Sequence, residues 1–371
     1  MSKNTHKNIR IPRPEEIVAH LSEAIKGHDQ IKRMLACAAY AHLMKCYSKS
    51  RSMHSVQSLE NCLIAGPTAS GKSSMLQRLA SYLRMPTVTV LTGSLSPSGY
   101  KGKTCTDVLG QIEEVAVDDG VMTPTLCVWD ELDKIAYHTG DGCRAEADSG
   151  EYKRMTQSDM LGIIQGISLT DRPGLKLNHV LHVGCGAFPE RSTPRTGRRI
   201  GFLTPQEPEV DQTLEKIGPD YFIGHGLMPE LVGRFPRLGM ITKPDHSTIR
   251  EILTESSTSP YKQKLWHFQQ HGTQLLFDDE ALDLLARMIS EHPTGVRAIQ
   301  LVLNQLLSEY EYEITRSDRK SIEEIRFTRG AVAGHEEPMI IRSSTNNTPI
   351  ERTMPAPKPD SDDDADSICV F

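Results

Sequence analysis

The 371 residues are enough for two ordinary domains, each with its own core. A hydrophobic share of 38%, a charged share of 24% and a net charge of −6 are those of a soluble globular chain, and they leave no strongly basic surface, so nucleic acid is not the expected partner. No run approaches the ~18 apolar residues of a membrane span, and eight scattered cysteines without a C-x-x-C pair argue against a zinc ribbon and fit a reducing cytoplasm.

Met1 to Arg10 is polar and basic and lacks the apolar core of a signal peptide. Pro12 and Pro14 lead into an amphipathic stretch from Glu15 to Ile25, and after Gly27 a second helical run extends from Gln30 to about Lys45. Ser48 to Ser58 reads as a polar loop. Strands and helices then alternate: Asn61–Ala65, a helix over 72–84, Thr87–Leu91, a helix from about Thr106, Thr125–Trp129, a helix over 153–166, and Val180–Gly184. Short apolar strands separated by helices predict a parallel α/β sheet. Gly, Pro and Arg crowd 189–208 into a long loop. Beyond Ile241 and Pro244 the pattern turns helical, over Ser247–Glu255, Glu280–Ser290 and Gly295–Thr315, which places a boundary near Thr242 to Asp245. The tail from Ser343 holds six acids against Arg352 and Lys358 and reads as disordered.

Gly66-Pro67-Thr68-Ala69-Ser70-Gly71-Lys72-Ser73 matches G-x-x-x-x-G-K-[ST] between an apolar strand and a helix. Such a loop wraps its N–H groups around phosphate at the positive end of the helix dipole. Lys72 is expected to reach the β and γ phosphates of ATP, and Ser73 to ligate Mg²⁺. Ala69 stands where a glycine is usual, which is tolerable where φ is negative. Thr125-Leu126-Cys127-Val128-Trp129 delivers two adjacent acids at a strand's end. Asp130 is expected to hold Mg²⁺ through water, and Glu131 to polarise the attacking water as a general base.

The residues from about Ile11 to Ile341 resemble the ClpX family of AAA+ unfoldases. The resemblance rests on Ile11-Pro12-Arg13-Pro14, on Ile25-Lys26-Gly27-His28-Asp29-Gln30, on Leu132-Asp133-Lys134-Ile135, on Gly184-Cys185-Gly186-Ala187-Phe188 and on Glu336 to Ile341. Ile25 and Gly27 then fall in the box that contacts adenine. Gly226 to Pro236 is similar to the arginine-finger box, in which Arg234 projects into a neighbour's ATP. Thr294-Gly295-Val296-Arg297 resembles the second sensor, with Arg297 reporting loss of the γ-phosphate. Gly99-Tyr100-Lys101-Gly102 resembles the aromatic pore loop that grips substrate, and Arg144 to Lys153 occupies the place of the second pore loop. Ile200-Gly201-Phe202 matches the tripeptide with which the family docks on the ClpP peptidase.

The fold implied is a P-loop AAA+ large domain with a parallel sheet, followed by a small, mainly helical lid domain. The segments are 1–60, packing the adenine box on the motor, 61–243, 244–342 and the acidic tail 343–371. The resemblance implies a homohexamer that hydrolyses ATP with Mg²⁺, threads protein substrates through its pore and hands them to a ClpP-type peptidase, in the cytoplasm and away from membranes. The family's cysteine-rich zinc domain is absent from this sequence, and Asp171–Asn178 lacks the basic loop that admits tagged substrates. Cys185 and His182 are both candidates for the first sensor. Three alternatives stay open: a stand-alone remodeller without a protease, a P-loop transferase acting on tRNA or small molecules, and a ring ATPase acting on DNA. The transferase leaves Asp130, Glu131 and the Arg234 and Arg297 boxes unexplained.

Overall fold

Period-two alternation in the short apolar runs gives each strand two hydrophobic faces, and both are covered. The computed structural model describes residues 10–48, 60–97, 99–118, 121–137, 144–165, 177–188, 217–316 and 322–343. In chain order the elements are α1 (Pro14–Ala24), α2 (Asp29–Cys46), β1 (Cys62–Ala65), α3 (Lys72–Leu83), β2 (Thr87–Leu91), α4 (Cys105–Ala116), the short pair β3 (Val117–Asp118) and β4 (Val121–Met122), and β5 (Thr125–Asp130). There follow α5 (Arg144–Ile164), β6 (Val180–Gly186), α6 (Pro219–Gly224), α7 (Pro229–Val232), β7 (Arg237–Met240) and α8 (His246–Thr254). The last are α9 (Pro260–Gln270), β8 (Gln274–Phe277), α10 (Asp279–Glu291), α11 (Ala298–Ile314), β9 (Ile322–Phe327), α12 (Arg329–Val332) and β10 (Met339–Arg342).

Five strands make one wholly parallel sheet in the order β2-β5-β6-β1-β7. Leu63, Ala65, Val90, Cys127 and Trp129 point to one face and pack with Val108 and Ile112 of α4, Met160 and Ile163 of α5 and Phe222 of α6. Their neighbours Cys62, Ile64, Leu126, Val128 and Val183 point to the other face and pack with Leu21 of α1, Leu35 of α2 and Leu76 of α3. The sheet is therefore the middle layer of an α/β/α sandwich, and its strands are apolar on both sides for that reason.

Local chemistry sets the helix starts. Pro14 opens α1, where its missing N–H costs nothing, and the Arg13 N–H donates to Glu16 at 2.7 Å. Asp245 caps α8 by accepting the Thr248 N–H at 2.8 Å, and those bonds hold its carboxyl below the usual range. The α5 helix starts at Arg144, nine residues before the expected 153; residues 144–151 hold no apolar residue larger than alanine, so no apolar stripe marks these turns in the sequence.

The chain divides into two compact units, 1–264 with 282–305, and 265–281 with 306–371. The division interleaves the sequence, with cuts inside α9, α10 and α11, whereas the expected small domain is the continuous stretch 244–342. The second unit has a three-stranded sheet of its own, β10-β9-β8, where only the 336–341 strand is expected from sequence. Its core stacks Phe277 on Phe327 at 4.7 Å, with Ile325 and Leu307 fully buried. Among the described residues no helix is long and apolar enough to cross a membrane.

Candidate functional site

The loop between β1 and α3 turns sharply because two of its residues take left-handed backbone, Ala69 at φ 64° and Gly71 at φ 89°. The expectation of a negative φ at Ala69 is thus corrected: alanine here occupies a conformation that costs an L-residue about 1–2 kcal/mol. Gly66 cannot be larger, since a Cβ would lie 2.7 Å from the Ile241 carbonyl oxygen. Ser70 Oγ donates to the Pro67 carbonyl at 2.8 Å and ties the loop across itself. Lys72 is 9% exposed and folds back, donating from Nζ to the carbonyls of Gly66 at 2.6 Å and Pro67 at 2.7 Å. Burial lowers its pKa, while Cys185, Asp130 and Asp133 favour the charged form.

At the end of β5, Asp130 divides its carboxylate. One oxygen accepts the Ser73 hydroxyl at 3.1 Å and the other accepts the Glu131 backbone N–H at 2.9 Å. That second bond accompanies left-handed backbone at Glu131, φ 58°. Asp133 is fixed by accepting the Ala187 N–H at 2.9 Å, and Thr92 donates to the Asp130 carbonyl at 2.9 Å. Acids and phosphate loop share a cavity of about 440 Å³, all of whose lining residues belong to the first unit. Thr68 to Ser73, Asp130, Glu131 and Arg297 line it, and so do Ile25, Ile252, Val296 and Ile299. One side is thus apolar and the other polar and charged, which suits a ligand with a flat base and a polyanionic end. The Ser73 and Asp130 oxygens form a hard donor set appropriate to Mg²⁺.

Two comparisons with known proteins bear on this geometry. Residues 62–202 match the ATPase family associated with various cellular activities (AAA). The chain is 28% identical over 366 residues to the ATP-dependent Clp protease ATP-binding subunit ClpX of Borrelia duttonii (strain Ly), covering 93% of this chain and 84% of the relative. It is also 28% identical over 336 residues to the protein of the same description from Azotobacter vinelandii, covering 83% and 75%. These matches support a ClpX-type AAA+ ATPase.

In this ATPase the segment expected to contact adenine is set by a buried cation. Lys32, 2% exposed, meets Asp29 at 2.7 Å, Ser22 Oγ at 2.9 Å and the Ile25 carbonyl at 3.2 Å. It thereby joins α1, the turn after it and α2. Ile25 lines the cavity; Gly27, at φ 70°, lies behind it against Thr248. His28 also lines the cavity, at φ 57°, and burial lowers its pKa. Five non-glycine residues with positive φ are described, and three of them, His28, Ala69 and Glu131, line this cavity. Left-handed backbone is thus gathered at the candidate site.

Arg297 closes a 3-10 turn, Gly295–Arg297, and lines the cavity; Arg234 does not. With the Gln165 amide oriented so that its oxygen meets the guanidinium, Arg234 Nη2 and Nε donate to it at 2.8 and 3.0 Å. Asn61 is buried behind, its Nδ2 donating to the Arg234 carbonyl at 3.0 Å and its Oδ1 accepting the His182 N–H at 3.1 Å. Of the two first-sensor candidates, Cys185 is the one that acts electrostatically on Lys72 and Asp130, its thiol pushed up by burial. His182 instead accepts the Trp129 Nε1–H at 3.1 Å, and burial brings its pKa down to about 3.

Gly99 and Gly102 take φ 95° and 140°, and Tyr100 stands 57% exposed between them. Ser96 clamps this loop's base: its N–H donates to the Lys103 carbonyl at 2.8 Å and its Oγ to the Lys101 carbonyl at 3.1 Å. Tyr152 meets Tyr100 edge-on at 5.5 Å. Ile200, Gly201 and Phe202, and the tail beyond Ser343, lie outside the described residues. Lys32, Asn61 and Gln165 were not singled out from the sequence, because one polar residue among apolar neighbours carries no periodic signal.

Proposed function

We propose that this ATPase is a protein unfoldase that works as a ring of six copies and threads substrate through its central pore. The observation that carries the reading is the split of the charged groups. Lys72, Ser73, Asp130, Glu131 and Arg297 belong to one cavity, while Arg234 is held outside it on the same chain. An arginine placed so is suited to a neighbour's nucleotide, where it stabilises charge on the transferring phosphate.

In this reading the cavity takes ATP with its base against Ile25 and beside Gly27, on the stretch 1–60. Lys72 exchanges the carbonyls of Gly66 and Pro67 for the β and γ phosphates, while Thr68 to Gly71 present backbone N–H groups. Ser73 and Asp130 would hold Mg²⁺, which would supply neutralisation of phosphate charge. Glu131 polarises the attacking water. Arg297 carries loss of the γ-phosphate to the small domain, 244–342, which moves against the large domain, 61–243. Tyr100 pushes on polypeptide by packing against whatever side chain it meets, and Gly99 and Gly102 let its loop swing. The relatives' description as Clp protease subunits supports delivery to a ClpP-type peptidase, with Ile200, Gly201 and Phe202 as the docking plug. Six described cysteines are free, which supports a cytoplasmic setting.

The test is unfolding of a stably folded fluorescent protein carrying an unstructured tail. Tyr100→Ala should keep ATP hydrolysis within about twofold and lose unfolding by more than about tenfold. Unimpaired unfolding would remove Tyr100 as the grip. Phe202→Ala should keep unfolding and lose only degradation when ClpP is added; degradation that persists contradicts the docking assignment, and no degradation by the wild type makes the protein a stand-alone remodeller.

A further inference from the structure

One buried side chain fastens the segment behind the catalytic acids to the box that ends in Arg234. Gln157 of α5 is 0% exposed. Its Nε2 donates to the Ile135 carbonyl at 2.8 Å and the Gly226 carbonyl at 3.0 Å, and its Oε1 accepts the Met228 N–H at 2.7 Å. Ile135 follows the 3-10 turn Leu132–Lys134 that begins directly after Glu131. Gly226 and Met228 open the box and, through α7, lead to Arg234. The two segments also touch without the glutamine: the Tyr137 N–H donates to the Gly226 carbonyl at 3.0 Å. A Cβ on Gly226 would come 2.1 Å from the Tyr137 carbonyl oxygen, so glycine is required for that approach.

The same helix holds both ends of a longer connection. Two turns beyond Gln157, about 12 Å along the axis at the usual rise, Gln165 receives the Arg234 guanidinium. One turn before it, Lys153 Nζ donates to the Ala136 carbonyl at 3.2 Å, and its neighbour Tyr152 bears on Tyr100. A buried amide with every bond made leaves its partners costly to separate, because each parted group would stay dry and unpaired.

We propose that Gln157 is a positioning residue that joins the strap behind Glu131, the Arg234 box and, through α5, the Tyr100 loop into one mechanical unit. A shift at the acids on loss of phosphate then moves the arginine and the gripping tyrosine together. This rests on the reading of Arg234 and Tyr100 given above. The competing account is that Gln157 only fills and satisfies the core.

The experiment measures ATP hydrolysis by the full chain, wild type and Gln157→Met, with and without β-casein as an unstructured polypeptide. Methionine keeps the length of the side chain and removes all three bonds. Coupling predicts a KM for ATP within about twofold of wild type, a kcat lower by about tenfold, and no stimulation by casein. A filler role predicts a lower melting temperature and a smaller active fraction with the wild-type stimulation ratio retained, and that result overturns the proposal. If Gln157→Met does not fold, Lys153→Met decides, since it removes only the bond to Ala136 at a half-buried site. Its stimulation ratio should fall by about twofold or more, and an unchanged ratio overturns the proposal. A wild type that casein does not stimulate removes the unfoldase reading and this coupling together; a responsive wild type with a responsive Gln157→Met removes the coupling alone.

Discussion

The phosphate loop and the Tyr100 loop leave the same sheet and are built in opposite ways. Residues 66–73 are tied to themselves by Ser70 and Lys72, packed against Ile241, and strained at Ala69. Residues 99–102 are clamped at their base by Ser96 and touched by Tyr152 at the ring edge of Tyr100, which is otherwise largely exposed. In the proposed reading one loop places charge within a few tenths of an ångström and the other travels. The first therefore stores strain and buries its cation, and the second has glycines at its ends and an exposed ring.

The largest expected effect that would sharpen this contrast lies at the fixed end. Glu131→Gln should lower ATP turnover by on the order of 10²–10⁴-fold while nucleotide binding stays intact, measured by steady-state hydrolysis alongside equilibrium binding of ATP. Turnover above that range would remove Glu131 as the base. It stands against the near-normal hydrolysis expected of Tyr100→Ala in the exposed loop. The smallest effect concerns strain in the phosphate loop. Ala69→Gly relieves a left-handed alanine and should raise the melting temperature by about 2–4 °C, set against the added freedom of the unfolded chain. A lower melting temperature would mean that the loop relaxes when nucleotide-free, and the comparison between a strained and an unstrained loop would fail.

Much of the nucleotide end could be read from the sequence, because its signals are local. Lys72 and Ser73 follow a strand at fixed spacing, and Asp130 and Glu131 close a run of four apolar residues, Leu126 to Trp129. The strands β1, β2, β5 and β6 were legible for the same reason. β7 was not, since Arg237–Met240 is four residues long and contains a glycine. β9 was missed because Ile322-Glu323-Glu324-Ile325 breaks strict alternation, and the first turns of α5 because 144–151 has no apolar residue larger than alanine. The left-handed backbone at His28, Ala69 and Glu131 depends on long-range packing and bonds such as that from Asp130 to its neighbour's N–H. Gln157 is the extreme case: on a helix a lone glutamine reads as solvent-facing, and its three partners lie 22, 69 and 71 residues away.

The central claim is that each catalytic site is shared, with Lys72 and Glu131 from one copy and Arg234 from the next. Glu131→Gln and Arg234→Ala proteins, each inactive alone, can be mixed before ring assembly and assayed for ATP hydrolysis. In mixed rings some interfaces pair an intact Glu131 with an intact Arg234, so an equal mixture should recover up to about a quarter of wild-type turnover if neighbours fire independently. A mixture as inactive as either parent would contradict the shared site.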